Sequence, residues 1–573
     1  MSSIHAAAGQ SLARVLASLG LPGVPARLAP CPRPGLGDAA TGAALQGARI
    51  LKRPPMAIAA ELAAALADAP EIAKAEAAPP GFVNITFCGE ALAAALEAQA
   101  ADPRHGVVPV AVPEKTVIDF GGPNIKPMHV GHLRSLVIGE SLRRMLAEAG
   151  HHVVSDLHLG DWGLPGGMIL SEIVRRSRDG VPHPPVTAAD LSVLYPEAAA
   201  ACKADAARMD EARAMTAALQ SGANPAMSAL WREIVAMAKA EILKSCGRLG
   251  AHFDLTLGES DAQPEILAML AAMEASGVAR RDGAALLIDT AQPDDRHEVP
   301  PLVIEKEDGS ALYATTDLAT ILMRRRDLDA RRILYVVDGR QSLHFTQVFR
   351  AAGASGISGG AALEHIAFGT VNGPDGKPLK TRAGNTMGLT ELLDLAKEEA
   401  RKRLSAGGRL PFAAEAELED AADAIGIAAL RIADLSSNRA GGYILDLGRA
   451  VSFEGKTGPY LLYALVRLRA ILAKADVAGG PILLGCPAER RLALACLGFG
   501  DAVHRAVDSR SPHELAAWAF EAAAEVSRFY AECQVLGEAD PAVRASRISL
   551  CTAAERVLGR ALHLLGCRVP AAM

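Results

Sequence analysis

Apolar and polar positions repeat with two periods along this chain, and the changes of period mark its parts. Between Thr116 and Gly150 the sequence reads TVIDFGGPNIKPMHVGHLRSLVIGESLRRMLAEAG. A short β-branched run, Thr116–Phe120, gives way to a loop with two prolines. Apolar residues then return at Leu133, Leu136, Val137, Met145, Leu146 and Ala149, close to a 3.6-residue repeat, with Gly150 placed to cap the helix. A second apolar run follows at His152–Leu157, so the pattern predicts a β-α-β unit. Downstream, Ala285–Thr290 and LVIEKEDGSALYATT read as strands, with Asp308-Gly309 as a hairpin turn. Tyr313 closes the last of these strands and Asp317 opens a helix, either as its cap or as a site residue. Arg332–Val337 reads as a buried strand and Ile366–Val371 as a strand. The second runs into a Gly-, Pro- and Lys-rich loop and then a helix near Thr390.

The flanks have other patterns. Helical periods near Ser11–Leu19 and Met56–Ala67 precede a strand pair, Ile72–Ala77 and Phe82–Phe87, giving a small α+β domain over residues 1–110. Asp102–Glu114 reads as a linker. An Ala-rich helical stretch, residues 186–250, interrupts the central part as an inserted layer, and from residue 415 to 573 the pattern is helical throughout. The fold class expected is a Rossmann-like α/β core over 114–405, a parallel sheet with helices on both faces, flanked by the α+β domain and an all-α bundle over 415–573.

Composition narrows the function classes. The 573 residues carry a formal charge of −6, which excludes a uniformly basic nucleic-acid binder but not local basic faces. No apolar run is long enough for a membrane span, and the N-terminal pattern is amphipathic rather than that of a signal peptide. Nine cysteines lie dispersed without a C-x-x-C pair, which argues against structural zinc and fits a reducing cytoplasm.

Candidate chemistry gathers at the predicted strand ends. A helix N-terminus offers unpaired N–H groups and positive potential, a place for phosphate. There His129 and His132 stand three apart on one side of the first turn, with Gly131 between them and Lys126 just before, a set that suits a nucleotide triphosphate. Tyr313, Asp317 and Gln341 fall at the ends of elements that converge on the same crevice. Lys377, Lys380 and Arg382 make the later loop either a phosphate clamp or an ordinary basic surface loop. The turn Gly160–Gly163 either lines the site or packs on the sheet. Arg324–Arg326, with Arg331 and Arg332, form either a solvated face or an RNA contact.

PNIKPMHVGHLRS closely resembles the first signature of class I aminoacyl-tRNA synthetases, and its flanks resemble the arginyl branch. That branch usually reads PN-x-AKP-x-H-x-GHLRS, so this chain is one residue shorter before the lysine. The Lys377–Arg382 loop resembles the second, KMSKS-type signature in degenerate form, with Thr381 where the second lysine usually stands; Lys126 would then take its part. The resemblance implies an arginine–tRNA ligase using ATP with Mg²⁺. In it, His129, Gly131, His132, Lys126, Lys377, Lys380 and Arg382 would meet ATP, with His129, His132 and Lys126 catalytic. Asp119, Asn124, Tyr313, Asp317 and Gln341 would form the L-arginine pocket. It further implies an N-terminal domain on the elbow of tRNA-Arg, a C-terminal anticodon-binding domain, and a cytoplasmic monomer. Alternatives are another class I synthetase or a non-catalytic tRNA-binding paralogue.

Overall fold

A computed structural model describes residues 4–31, 35–178, 187–307, 309–377, 379, 387–406, 412 and 414–573. Its centre is a parallel sheet of β1 (Lys115–Phe120), β2 (His152–Asp156), β3 (Arg332–Val336) and β4 (Ala362–His365), in the spatial order β4-β3-β1-β2. Side chains alternate across a strand, so each strand feeds two cores. Ile118, Phe120, Leu334 and Val336 pack on one face with Leu133, Leu136 and Val137 of α1 (Leu133–Glu148). Val117, Ile333 and Tyr335 pack on the other. That face is covered by α2 (Glu259–Ala275), α3 (Tyr313–Leu328) and α4 (Ser342–Ala354), through Ile266, Leu318, Ile321, Phe345 and Val348. Alternation also dictates that Asp119 of β1 and Asp156 of β2 point toward α3.

Some expected elements are displaced. Tyr313 does not close a strand but begins α3, and Asp317 is its fifth residue rather than its cap. The Leu312 N–H donates to Thr315 Oγ1 at 3.1 Å, and that hydroxyl donates to the Ile304 carbonyl at 2.6 Å. This capping turn overrides the β-rich local composition. After the turn at Gly309, which has φ +78°, only an antiparallel bridge between Glu305 and Ala311 remains of the expected second strand; Asp308 lies outside the described residues. The expected strand Ile366–Val371 begins just past the end of the observed one. The ladder strand is Ala362–His365, and Ile366 and Phe368 extend it with single N–H bonds to Tyr335 and Val337 carbonyls.

Around this core, an N-terminal antiparallel sheet of Ala29–Pro30, Ala39–Thr41, Phe82–Phe87 and Ile72–Ala78 carries helices Ile4–Ser18 and Pro55–Leu66. Helices Leu164–Arg178, Ala188–Ala204, Ala206–Ser221 and Pro225–Leu249 form a layer with its own core around Ile169, Leu170, Leu191 and Trp231, and the loop residue Ile125 is seated in it. Beyond α5 (Leu389–Ala406) come α6 (Glu415–Leu435), α7 (Gly458–Ala473), several further helices and α8 (Pro541–Leu564). No described helix is long and apolar enough to cross a membrane.

The junction of these parts lies beneath α1. Arg134 is 1 % exposed and donates to Asp434 of α6 and to the Gly441 carbonyl, with its guanidinium also over the Phe368 and Tyr443 rings. Arg431, fully buried, donates to the last carbonyls of two helices, Leu249 at 2.8 Å and Leu565 at 2.9 Å. Gly250 and Gly566, both at positive φ, leave room for it; a Cβ at Gly566 would strike the guanidinium. Helix C-termini carry partial negative charge, which suits a cation held there.

Candidate active site

The loop after β1 is pinned at both ends. Gly121 has φ +86°, and a Cβ there would lie 2.8 Å from Leu136, so only glycine fits the turn. Its N–H donates to Ser135 Oγ at 2.7 Å, and that hydroxyl donates to the Val336 carbonyl at 2.6 Å. The serine of HLRS therefore ties the carboxyl ends of β1 and β3 together. Asn124 bridges to Gly160, where an added Cβ would strike the Asn124 side chain.

A single 3₁₀ turn, Val130–His132, leads into α1 with His129 as its cap. His129 Nδ1 accepts the Gly131 N–H at 3.0 Å, and His132 Nδ1 accepts the His129 N–H at 3.1 Å. His129 accordingly carries its proton on Nε2 and points a donor outward, whereas His132 Nδ1 also lies 3.2 Å from the His129 carbonyl, so the turn serves either of its tautomers. The rings lie 4.1 Å apart between centroids. Burial, then the mutual repulsion with His129 and Lys126, holds His132 down at about 3; burial and Lys126 likewise lower His129. The pair is thus neutral. A Cβ on Gly131 would come within 2.7 Å of the His129 ring, so the glycine serves this ring packing.

His129, Gly131 and Arg134 line a cavity of about 220 Å³ with Asp338, Arg340, Phe368, Thr370, Val371 and Leu379. Its far wall thus carries the end of β3 and the start of the second basic loop. Lys380 and Arg382 lie outside the described residues. The return of that loop is placed: Val130 N–H donates to the Met387 carbonyl and Leu389 N–H to the Met128 carbonyl, both at 3.0 Å, with His129 bridging Gly388. The Lys377 backbone N–H is held by Asp375. Lys126 faces away from this cavity, toward the inserted helices. It lines a separate space with Ile242 and Thr390, its Nζ 5.7 Å from the centre of the Tyr195 ring.

The remaining candidates collect on the α3 side of the sheet. Asp119 Oδ2 and Asp156 Oδ2 each accept from Arg324 Nη2 at 2.7 Å. Asp317 accepts from His344 Nε2 at 2.6 Å. Tyr313 is 59 % exposed, and Gln341 is exposed at the start of α4. Glu259 begins α2. Burial, with Asp317 and Asp161 as like charges and His158 opposing them, pushes its carboxyl up to about 8. An acid so perturbed calls for a cation. Sequence reading missed Glu259, Asp156, His158 and Asp338. The alternation V-V-S-D in β2 could have flagged Asp156; nothing local marks Glu259.

The arginine cluster divides. Arg324 is buried between acids and Arg332 is held by Glu114 and Glu364, whereas Arg326, paired with Asp327 and Glu265, and Arg331, paired with Asp329, belong to a solvated face. The Gly160–Gly163 turn packs as an anchor. Asp161 accepts from Ser260 N–H and Oγ, and its carbonyl accepts from Trp231 Nε1. Cys486 and Cys533, distant in sequence, lie 3.4 Å apart near Glu489, whose carboxylate Arg547 already holds.

A parallel sheet with capped histidines at the first strand's end and a basic loop returning onto them defines the catalytic region of a class I aminoacyl-tRNA synthetase. The model of the class I (R) tRNA synthetase catalytic domain matches residues 103–447, that of the arginyl-tRNA synthetase N-terminal domain 4–87, and that of the DALR anticodon-binding domain 461–573. The chain belongs to the arginyl-tRNA synthetase family. It is similar to arginine–tRNA ligases of Maricaulis maris (42 % identical, all of both chains) and Hyphomonas neptunium (42 %, covering 94 % of this chain and 95 % of that one). Among solved structures it is similar to Thermus thermophilus arginyl-tRNA synthetase, with TM-score 0.82, 26 % identity, and 99 % and 100 % of the two chains covered. The fold is also that of the Plasmodium falciparum arginyl-tRNA synthetase, with TM-score 0.81, 20 % identity and both chains covered in full.

Proposed function

We infer that this chain is an arginine–tRNA ligase, activating L-arginine with ATP and transferring it to the 3′-terminal adenosine of tRNA-Arg. Two observations support this reading: neutral histidines at the end of β1 lining one cavity, and an acid cluster around Asp317 and Glu259 on the α3 side of the same sheet. The arginine carboxylate attacks the α-phosphate of ATP and pyrophosphate leaves. This step needs positioning and charge neutralisation, with no covalent enzyme intermediate. The Nε2–H groups of His129 and His132 donate to phosphate oxygens. Lys377, Lys380 and Arg382 close over the triphosphate, and Mg²⁺ arrives as part of the ATP substrate complex. Lys126, outside the histidine cavity, adds positive potential to the turn that carries both histidines.

Asp317, Glu259, Tyr313 and Gln341 offer the planar, forked acceptor set that a guanidinium fills and an ammonium does not. Asp119 adds a further carboxylate to that set, and Asn124 takes the amino acid's α-amino or carboxylate end. The adenylate is then attacked by a ribose hydroxyl of the tRNA terminus. The N-terminal region takes the tRNA elbow. On the helical region Arg467 lies 3.6 Å from the centre of the Tyr530 ring and 5.8 Å from that of Tyr463, and both tyrosines are 43 % exposed, a platform for unstacked anticodon bases. The reading includes a cytoplasmic monomer, which sedimentation and cell fractionation test. ATP–pyrophosphate exchange with each amino acid, with and without tRNA, tests the whole. Arginine-specific exchange that requires tRNA-Arg is expected; exchange with another amino acid, or none, overturns it.

A further inference from the structure

Beneath the crevice lies a charged group that the reaction as described does not use. Arg324 is 1 % exposed, yet its Nη2 donates to two carboxylates on neighbouring strands, Asp119 and Asp156, each at 2.7 Å. Those acids are register partners in the β1–β2 pair, and Tyr335 of β3 is register partner to Asp119 on the other side. The Arg324 guanidinium lies 5.4 Å from the centre of the Tyr335 ring. Nε and Nη1 find no acceptor among the described residues, so the two carboxylates are what it serves.

Two carboxylates side by side in a buried sheet cannot both stay ionised without a cation between them. Asp156 is fully buried, whereas the Asp119 side chain keeps 11 % of its surface exposed. Arg324 takes only Oδ2 of Asp119, leaving Oδ1 without a protein partner among the described residues. The groups facing Asp119 are Arg324 from α3, Asp156 from β2, His158 just after it, and Tyr335 from β3, with Asp317 close to Tyr335. Among these, Arg324 is the permanent cation; burial and Asp156 push the Asp119 carboxyl up, and Arg324, with His158 behind it, opposes them.

We propose that Arg324 is a positioning residue for amino-acid recognition: by neutralising the Asp119–Asp156 pair it keeps Asp119 an oriented anion whose free oxygen receives a cationic nitrogen of the substrate. The proposal rests on the reading that this crevice takes arginine. Removing Arg324 leaves the pair sharing a proton near neutral pH, so substrate affinity falls and the loss becomes pH-dependent. Lysine at this position keeps the charge but cannot span both carboxylates as well, and recovers only part.

The test is steady-state ATP–pyrophosphate exchange with arginine and tRNA-Arg for wild type, Arg324→Met, Arg324→Lys and Arg324→Met/Asp156→Asn, with melting temperatures measured alongside. Arg324→Met is expected to raise the KM for arginine about tenfold or more, the scale of one lost charge-assisted hydrogen bond, with the KM for ATP within about twofold. The ratio of variant to wild-type KM falls as pH rises from about 6.5 to 8.5, because the shared proton leaves. Arg324→Lys lies between the two, and adding Asp156→Asn returns part of the affinity. An arginine KM equal to wild type, or a rise that is independent of pH and matched by the KM for ATP, overturns the proposal. If Arg324→Met does not fold, the pH-dependent KM ratio of Arg324→Lys decides in the same way. Failure of the wild type to exchange with arginine would instead remove the underlying reading.

Discussion

Arg134 Nε and Asp434 Oδ2 meet at 3.0 Å, with side chains 1 % and 0 % exposed, joining the signature helix α1 to the first long helix of the C-terminal part. The same Arg134 lines the cavity beside His129. Breaking one partner of such a pair leaves an uncompensated buried charge, at a cost of about 3–5 kcal/mol. Asp434→Ala is therefore expected to lower the melting temperature sharply and to slow exchange at temperatures where the protein is still folded. A variant with unchanged melting would show the pair to be dispensable.

His132→Ala is expected to cut ATP–pyrophosphate exchange by about 10²-fold, the scale of a lost donor to developing charge. Because burial holds this imidazole down at about 3, it stays neutral above that, and its contribution should not titrate between pH 6 and 8.5. A step in the His132-dependent rate near pH 6.5 would contradict the neutral-donor assignment.

Asp317→Ala should raise the KM for arginine by about 30-fold, the cost of a lost carboxylate facing a guanidinium, with far less effect on ATP. Titrating both substrates in the exchange assay separates the two. An unchanged arginine KM would take Asp317 out of the pocket and leave it as the partner of His344.

Glu259, raised by burial to about 8, holds a proton in the free protein at neutral pH that a bound cation should expel. Arginine binding at pH 7.5 is thus expected to release a fraction of a proton, read as buffer-dependent enthalpy in calorimetry, and Glu259→Gln should abolish the release. The linkage has a definite sign. The folded form keeps a proton that the unfolded chain sheds above its ordinary value of 4.5, so this residue's contribution to stability falls as pH rises from there through about 8.

Lys126→Ala should lower the exchange rate at saturating substrates, with little change in the KM for arginine. The lysine sits over Tyr195 rather than in the histidine cavity, so a rate equal to wild type would assign it to the inserted helices instead.

The large elements were readable because their periods are strong. The strands Lys115–Phe120 and Arg332–Val336 and the helices at Leu133 and Leu389 follow directly from apolar spacing. The histidine turn was readable because proline, glycine and histidine at a strand end leave few conformations. What stayed hidden depended on contacts between distant segments. Arg324, Arg325 and Arg326 look alike in sequence, but each residue turns a helix by about 100°, so one points into the acids of β1 and β2 while another reaches solvent and Glu265. Glu259 gains its perturbed carboxyl from burial first and then from Asp317 and Asp161, which lie roughly 60 and 100 residues away in order and adjacent only in the fold. Tyr313 was assigned to a strand because Ala-Leu-Tyr-Ala-Thr-Thr is β-rich, whereas a hydroxyl bond to the Ile304 carbonyl fixes a helix start.

The clamp at Arg431 bears on how the molecule is born. Ser141 of α1 donates to the Leu564 carbonyl across 423 residues of sequence, and Arg431 waits for Leu565 before both its helix ends are in place. During synthesis the histidine-bearing helix emerges long before those residues exist, so its underside remains unfinished while the inserted and helical parts are still being made. Nascent chains halted before residue 564 should leave α1 open to protease, and release of the full-length chain should close it in one cooperative step.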